Sequence, residues 1–515
     1  MSAKVTLTVW VVSGSDSGAG AGLQADIRAC EAFGVHGCTA VAALTAQNSQ
    51  ELHRIEAVSA SMLDSQLSAL AADLPPAAIK TGMLGSLDNL RVLVQWVDRL
   101  REQHPDLPLV VDPVLRSSTG ASFADQALLE AYRTELLPRA TLITPNRAEA
   151  ARLLSSVPLR DKVAVQQAAL ALRASGCKSV VITGGDDSQD TSDDYVVTPH
   201  ASGWLSLPRV GTVNSHGTGC VFATSAACAL ARGFVSIEAV ILAKMATTHA
   251  LRNGYAAGRG AGPVRPREDF AQHSVNLPTF SLSGLTLPSR RASGFAPLTD
   301  PNLGLYAVVD SVAWIERVLD AGVRTVQLRI KDASQPTLRS EIRQSIEAAE
   351  RVGAQLFIND HWRIAIDEGA YGVHLGQEDL ATADLNAIAD GGLRLGISTH
   401  AYWEACRAWA LRPSYIACGP IHPTAAKRMP WVPQGNDNLA YWCALVPLPV
   451  VAIAGMNVGR AADAMRCGAA GVAVISAITA AESPDLAIKT LQLAIGGARN
   501  TAALTVVALP RPTLR

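Results

Sequence analysis

Net charge, long apolar runs and paired cysteines are what this sequence lacks. Its 44 basic and 45 acidic residues leave a formal charge of -1, so no field draws it to nucleic acid or an anionic membrane, and neither is expected as a partner. The apolar stretch at residues 9–12 is far shorter than the ~20 residues of a spanning helix and precedes no cleavage-site pattern, so it reads as a first strand. Nine cysteines occur without a Cys-x-x-Cys pair; the odd count argues against a full disulfide framework and favours a reducing compartment, the cytoplasm. A homo-oligomer is left open.

What is present is length and apolar content. A chain of 515 residues exceeds the ~250–300 that one core organises, so two domains are expected, with the break near the middle. From residue 5 onward, short β-branched runs such as 109–112, 142–144 and 179–183 alternate with alanine-rich helical segments such as 21–33 and 87–100. That alternation predicts a mostly parallel sheet covered by helices over residues 1–275. Residues 276–302 lapse into Pro, Ser, Gly and Arg without period, the composition of a linker. Beyond it, eight strand-like runs beginning near Leu305, Thr325, Gln355, Gly372, Leu393, Tyr415, Pro449 and Gly471 predict a (β/α)8 barrel over residues 303–495. Residues 496–515 fit neither pattern and read as a disordered tail or an edge strand.

In the first half, Gly14-Ser15-Asp16-Ser17-Gly18 and the glycines after it form a small-residue turn that lets a ligand approach the backbone. Gly217-Thr218-Gly219-Cys220 opens an alanine-rich helix, so its amides form an anion hole at the positive end of the dipole. A thiol there is expected to have a lowered pKa and to accept a proton from a substrate hydroxyl, which makes Gly217, Gly219 and Cys220 the catalytic candidates. With Gly22-Leu23-Gln24-Ala25-Asp26, Ala43-Leu44-Thr45-Ala46-Gln47-Asn48, Lys80-Thr81-Gly82-Met83, Asp112-Pro113-Val114 and Thr144-Pro145-Asn146-Arg147-Ala148-Glu149, these segments resemble the ribokinase-like vitamin kinases. The nearest resemblance is to hydroxymethylpyrimidine and hydroxymethylpyrimidine-phosphate kinase. It implies an αβα sandwich, ATP as phosphoryl donor, Gln47, Asp26 and Met83 around the pyrimidine, and Asn146 and Glu149 organising Mg2+ near ATP. The family's Lys-Gly-Gly becomes Thr183-Gly184-Gly185, which removes a positive charge near the nucleotide.

In the second half, polar clusters fall at the ends of successive strands: Gln327-Leu328-Arg329-Ile330-Lys331, Asn359-Asp360, Gln377-Glu378-Asp379 and Ser398-Thr399-His400. All should converge on the catalytic face of a barrel. Arg329 and Lys331 suit a polyanion, and Asp360 and Asp379 are hard oxygen ligands suited to magnesium. Gly455, Ile475 and Ser476 stand where barrels bind phosphate, and the loop 419–435 reads as a closing lid. This half resembles thiamine-phosphate synthase through these motifs, Gly419-Pro420-Ile421-His422-Pro423-Thr424-Ala425-Ala426-Lys427 and Val451-Ala452-Ile453-Ala454-Gly455. The resemblance implies a TIM barrel in which Asp360 and Asp379 hold Mg2+ on a leaving diphosphate. Gln327, Leu328, Arg329, Ile330, Lys331, Asn359, Ser398 and Lys427 would bind the pyrimidine diphosphate; Thr424, Ala425, Ala426, Gly455, Ile475 and Ser476 would engage thiazole phosphate. Two departures stand out: Ala426 where the family has Thr, and Ala454 where it has Gly. The alternative reading is a pyridoxal-type salvage kinase fused to a non-catalytic barrel that senses thiazole or thiamine phosphates.

Overall fold

Residues 9–12 are fully buried on both faces, as an apolar run in the middle of a parallel sheet should be. They belong to the strand Thr8–Ser15. The computed structural model describes residues 6–115, 125–185, 190–281, 294–332, 334–424, 430–498 and 506–514. The chain divides into two units, Met1–Ser283 and Gly284–Leu514.

The first unit is built on a 10-stranded sheet. Its centre is parallel and runs His36–Gln47, Thr8–Ser15, Ala78–Thr81, Leu109–Val111, Leu142–Ile143 and Val180–Ile182. Antiparallel strands continue it on both sides, Leu52–Ala57 at one edge and Thr191–Val197, Ser202–Pro208 and Thr279–Ser281 at the other. Helices Ala60–Asp73 and Leu87–Gln103 start at Ser59 and Ser86, whose hydroxyls accept from the backbone amides of Met62 and Asn89. They bury Leu63, Leu67, Leu90, Leu93 and Val97 against Trp10 and Val12. Helices Gly22–Ala32, Thr218–Ala231 and Ser236–Arg252 share a second core of Ala25, Ala29, Val221 and Ala250.

The second unit is a closed barrel of eight parallel strands: Gly304–Val309, Thr325–Leu328, Gln355–Asn359, Gly372–Leu375, Arg394–Thr399, Tyr415–Cys418, Val450–Ile453 and Gly471–Val474. Pairing of the first with the last closes it. Tyr306, Phe357, Tyr415 and Val451 fill the interior.

The stretch read as a linker is narrower than expected. Asn276 is fully buried and Thr279–Ser281 is the edge strand of the first sheet. On the other side, Phe295 N–H donates to Arg412 O (3.0 Å) and Ser414 Oγ to Ala296 O (2.6 Å), which ties residues 294–302 to the barrel. The terminal stretch is corrected as well. Residues 496–498 end the helix Pro484–Ala498, and described residues 506–514 pack on the segment before helix Gly435–Leu445. Val432 N–H donates to Thr513 O (2.9 Å), Asn438 exchanges two hydrogen bonds with the Arg511 backbone, and Arg511 Nη2 donates to Gln434 O (2.9 Å). Gln434 Nε2 in turn donates to Gly419 O and His400 O, so this segment braces both ends of the 419–435 loop.

Candidate functional site

In the first unit three loops meet at the strand ends. The glycine-rich turn folds around its own carboxylate: Asp16 accepts from the amides of Gly18 (2.7 Å), Gly20 (2.9 Å) and Ala21 (2.8 Å), and His216 Nε2 lies 3.2 Å away. Burial works to raise the Asp16 pKa, but His216 and the Ala21 and Gly18 amides outweigh it and hold the carboxyl near 2. These amides are therefore spent on Asp16 and do not face a ligand. Ser17 clasps the end of the next strand by exchanging hydrogen bonds with Gln47 N (2.9 Å) and Gln47 O (2.7 Å). The Gln47 side-chain amide makes no hydrogen bond among the described residues. Met83 packs over Gly14, where a Cβ would stand 2.4 Å from Met83 Cε.

The helix Thr218–Ala231 begins at Gly217, with φ +86°. A Cβ there would lie 2.2 Å from Gly20 O, so only glycine fits between the two loops. The helix leaves the amides of Gly219 and Cys220 without intrahelical acceptors, the geometry expected for an anion hole. The thiol itself departs from expectation. Burial pushes Cys220 up to about 12; the Lys80 ammonium and the Gly22 amide oppose the rise, and Asp26 and Asp112 add to it. The expected lowered thiol pKa is overturned, because two carboxylates and desolvation outweigh the helix dipole.

Asp26 is likewise not at a ligand surface. It is fully buried, holds Lys80 Nζ with both oxygens at 3.0 Å and accepts from Thr224 Oγ1 at 2.6 Å. Asp112 Oδ2 lies 3.9 Å from the same ammonium, and burial lifts its pKa to about 6 against the pull of Lys80. Lys80 stays protonated, since Asp26, Cys220 and Asp112 overcome its desolvation. Sequence reasoning named no role for it, though a lysine inside the buried strand Ala78–Thr81 was a signal. Asn146 and Glu149 engage one another in a capping box at the start of helix Arg147–Leu153. A bridge pairs Asn146 with Thr183, which brings the Thr183-Gly184-Gly185 turn beside them. Arg209 Nη1 donates to Gly185 O (2.6 Å) in that turn.

In the barrel, Arg329, Ile330 and Lys331 line a cavity of about 450 Å³ with Val308, Asp310 and Ile475. Gln327 faces the barrel interior, hydrogen-bonded to Tyr306, so Leu328 faces the other way and is 1% exposed. The Leu328 side chain thus does not share the interior with Gln327. Asp360 follows its strand in a left-handed conformation, φ +63°, and accepts a short hydrogen bond from Asn359. Burial, then the charge of Asp379 and a hydrogen bond shared with it, raise Asp360 to about 6; Arg329 and Asn359 oppose the rise. Two carboxyls crowded in this way fit a divalent cation with oxygen ligands. Gly455, at φ +69°, admits no Cβ, since one would stand 2.6 Å from Pro423 O and 2.7 Å from His422 Cβ. Ile475 borders the cavity and Ser476 opens the short helix after the last strand. Thr424 is described, whereas Ala425, Ala426 and Lys427 lie outside the described residues.

A further trio, His249, Asp269 and His273, has metal-ligand composition. Asn276 argues against a metal there. Its Oδ1 accepts from Arg252 and its Nδ2 donates to Phe270 O (2.9 Å), so the same Nδ2 faces His249 Nδ1 as a donor. The neutral ring therefore keeps its proton on Nε2, which points at Asp269 rather than offering a lone pair.

Comparison with known proteins follows the same division. Residues 16–265 match the family model for phosphomethylpyrimidine kinase and residues 298–478 that for thiamine monophosphate synthase. A protein of Oryza sativa subsp. japonica described as a "Probable thiamine biosynthetic bifunctional enzyme, chloroplastic" is 34% identical over 492 residues, 91% of this chain and 85% of that one. The thiamine biosynthetic bifunctional enzyme of Arabidopsis thaliana, also described as chloroplastic, is 34% identical over 91% of this chain and 89% of its own length. The thiamine-phosphate synthase of Serratia proteamaculans is 54% identical over 198 residues, 38% of this chain and 92% of its own.

Proposed function

The chain belongs to the family of thiamine biosynthetic bifunctional enzymes, and from that membership we propose how its two sites divide the work. It acts in thiamine biosynthesis through a ribokinase-like hydroxymethylpyrimidine (phosphate) kinase unit and a thiamine-phosphate synthase barrel. In the kinase, Gln47 reads the aminopyrimidine edge, since an amide both donates and accepts. Met83 walls the pocket, the Gly217, Gly219 and Cys220 backbone receives the transferring phosphate of ATP, and Cys220 lies beside the substrate hydroxyl. Asp26 acts indirectly, by holding Lys80. Asn146 and Glu149 flank the ATP phosphates and their Mg2+, a role they share with capping their helix.

In the barrel, Gln327, Arg329, Lys331, Asn359, Ser398 and Lys427 bind the pyrimidine diphosphate. Asp360 and Asp379 would hold Mg2+, which when bound neutralises the leaving diphosphate. No protein nucleophile is required: the residues bind, orient and exclude water while thiazole nitrogen captures the pyrimidine-methyl cation. Thr424, Gly455, Ile475 and Ser476 engage thiazole phosphate. The observation that carries this reading is the crowded Asp360 and Asp379 pair beside a cavity lined by Arg329 and Lys331. A cytoplasmic or similarly reducing location agrees with nine free cysteines; none of the described helices is long and apolar enough to cross a membrane.

Purified protein given the pyrimidine alcohol, ATP and Mg2+ should form its monophosphate and then its diphosphate; added thiazole phosphate should convert the latter to thiamine phosphate. Gln47→Leu should raise KM for the alcohol about tenfold, the worth of one lost hydrogen bond to an uncharged group. Faster turnover of pyridoxal with no use of the monophosphate would overturn the kinase assignment, and a barrel that binds thiazole phosphate without product would make it a sensor.

Ala454 supports a separate prediction. It takes φ +79° where an L-residue is strained, at a cost of roughly 1–2 kcal/mol. Ala454→Gly is expected to stabilise the barrel unit by about 1 kcal/mol, raising its Tm by about 2–4 °C in calorimetry. KM for thiazole phosphate should fall in the same variant.

A further inference from the structure

A continuous line of hydrogen bonds crosses the barrel interior between two side chains assigned to the pyrimidine diphosphate. Gln327 Nε2 donates to Tyr306 Oη (3.1 Å), and the Tyr306 and Tyr415 hydroxyls are 2.7 Å apart. Tyr415 Oη lies 2.8 Å from His374 Nδ1, and His374 Nε2 lies 2.9 Å from Ser398 Oγ. The five residues come from five different strands. Tyr306, Tyr415 and His374 are buried, so no bulk water competes for these bonds.

Proton counting gives the line a direction. Tyr306 accepts from Gln327, so its single proton goes to Tyr415. Tyr415 in turn gives its proton to His374 Nδ1. The neutral imidazole then carries its proton on Nε2 and donates it to Ser398. Because Nδ1 accepts from Tyr415 and Nε2 faces Ser398 Oγ, these partners are those of the neutral Nε2–H ring. What remains at the two ends is the carbonyl oxygen of Gln327, an acceptor, and the hydroxyl proton of Ser398, a donor. The Ser398 backbone is fixed independently, because Gln377 Nε2 donates to Ser398 O (2.7 Å) and Arg407 Nη1 holds Gln377 Oε1 (2.8 Å).

The geometry points to Tyr306, Tyr415 and His374 as positioning residues that set Gln327 as acceptor and Ser398 as donor, and so select a substrate ring bearing an amino group next to a ring nitrogen. This rests on the proposal that Gln327 and Ser398 touch the pyrimidine diphosphate. An aminopyrimidine edge offers one donor and one acceptor and matches this polarity. The corresponding oxo ring has its N–H and carbonyl in reversed positions, so its carbonyl would face the Gln327 carbonyl oxygen, and turning that amide round to donate would break its bond to Tyr306.

The test uses the full-length enzyme with amino- and oxo-pyrimidine methyl diphosphates. Tyr415→Phe removes the middle link without changing the shape of the core. It should raise KM for the amino substrate about tenfold, leave kcat within about twofold, leave KM for thiazole phosphate unchanged, and cut amino-over-oxo preference about tenfold. The His374 side chain, followed by 15N NMR, should pass from a pure Nε2–H tautomer to a mixture. His374→Gln, which keeps a donor near the Nε2 position, should retain most of the preference, and His374→Leu should lose it; this pair decides the matter if Tyr415→Phe does not fold. Ser398→Ala separates the two levels. If it leaves KM for the amino substrate unchanged, the assignment of Ser398 to the ligand is wrong and the relay has nothing to position. If Ser398→Ala raises KM while Tyr415→Phe alters neither KM nor preference, the relay is overturned and the binding assignment stands.

Discussion

Replacing Asp360 by Asn is expected to lower synthase kcat/KM by about a thousandfold while both kinase reactions continue at the wild-type rate. A thousandfold is about 4 kcal/mol, the scale of charge stabilisation that a bound cation gives a leaving phosphoryl group. An Asn is nearly isosteric but neutral, so it removes the charge and keeps the fold. The carboxyl pair also makes a pH prediction whose sign is opposite to that of an ordinary acid. Burial and Asp379 raise Asp360 to about 6, above the ~3.9 of an unfolded chain. A group whose folded pKa is raised contributes stability that is complete below about pH 4 and is lost as pH rises through about 6. Without added magnesium, the barrel should therefore lose thermal stability between pH 4 and 7. Magnesium should restore it at pH 7.5 and do little at pH 5, where protons hold the site. Thermal shift at the two pH values reads this without any turnover, and Asp360→Asn should flatten both responses. A magnesium effect equal at both pH values would show that the cation binds elsewhere.

Much of this arrangement was legible in the sequence because it depends on alternation. Every barrel strand starts within one residue of its expected place, from Leu305 against Gly304–Val309 to Pro449 against Val450–Ile453. Apolar runs bounded by glycine or proline leave little choice of register. The meeting of Asp360 and Asp379 could be anticipated for a related reason, because a barrel gathers the residues that follow neighbouring strands at one face. What escaped was everything decided by a third dimension. Asp26 falls in a helix motif, and only the strand Ala78–Thr81 beneath it turns it from a pocket wall into the partner of Lys80. The helix-start rule gave the wrong sign for Cys220, because burial of the thiol outweighs it and Asp26 and Asp112, from distant segments, add to the rise. Tyr306 and Tyr415 count as apolar in any periodicity, which hides the hydroxyls that join them. Residues 506–514 show no period, and they are placed by the hydrogen bonds that Arg511 and Thr513 share with Asn438, Gln434 and Val432, together with the buried Leu514.

Loss of the Lys80 ammonium should be the most damaging change in the kinase unit. Lys80 and Asp26 are fully buried, and removing one partner leaves a charge with no solvent to receive it, which costs about 3–5 kcal/mol. Lys80→Met should thus lower the stability of the first unit by that amount in denaturant unfolding. The double variant Lys80→Met with Asp26→Leu should recover part of the loss, because Asp26 no longer leaves a charge unpaired while Asp112 still does, yet it should not recover kinase turnover. That separation distinguishes a positioning ammonium from simple packing. The reason lies at Cys220, where Lys80 is the principal influence pulling the thiol pKa down from a value that still reaches about 12. With a thiol that high, the thiolate fraction rises about tenfold per pH unit across pH 6–9. Alkylation of Cys220 by iodoacetamide should therefore be slow at pH 7 and climb with that slope, and the kinase rate should climb with it as long as proton removal limits turnover. Cys220→Ala should lower kinase turnover about 100-fold or more, the range of general-base losses, with the synthase rate unchanged. A rate that levels off near pH 7 in the wild type, or that survives the alanine, assigns proton removal to another group. Asp112 is then the first to examine, because its carboxyl, near 6, is already ionised when the reaction runs.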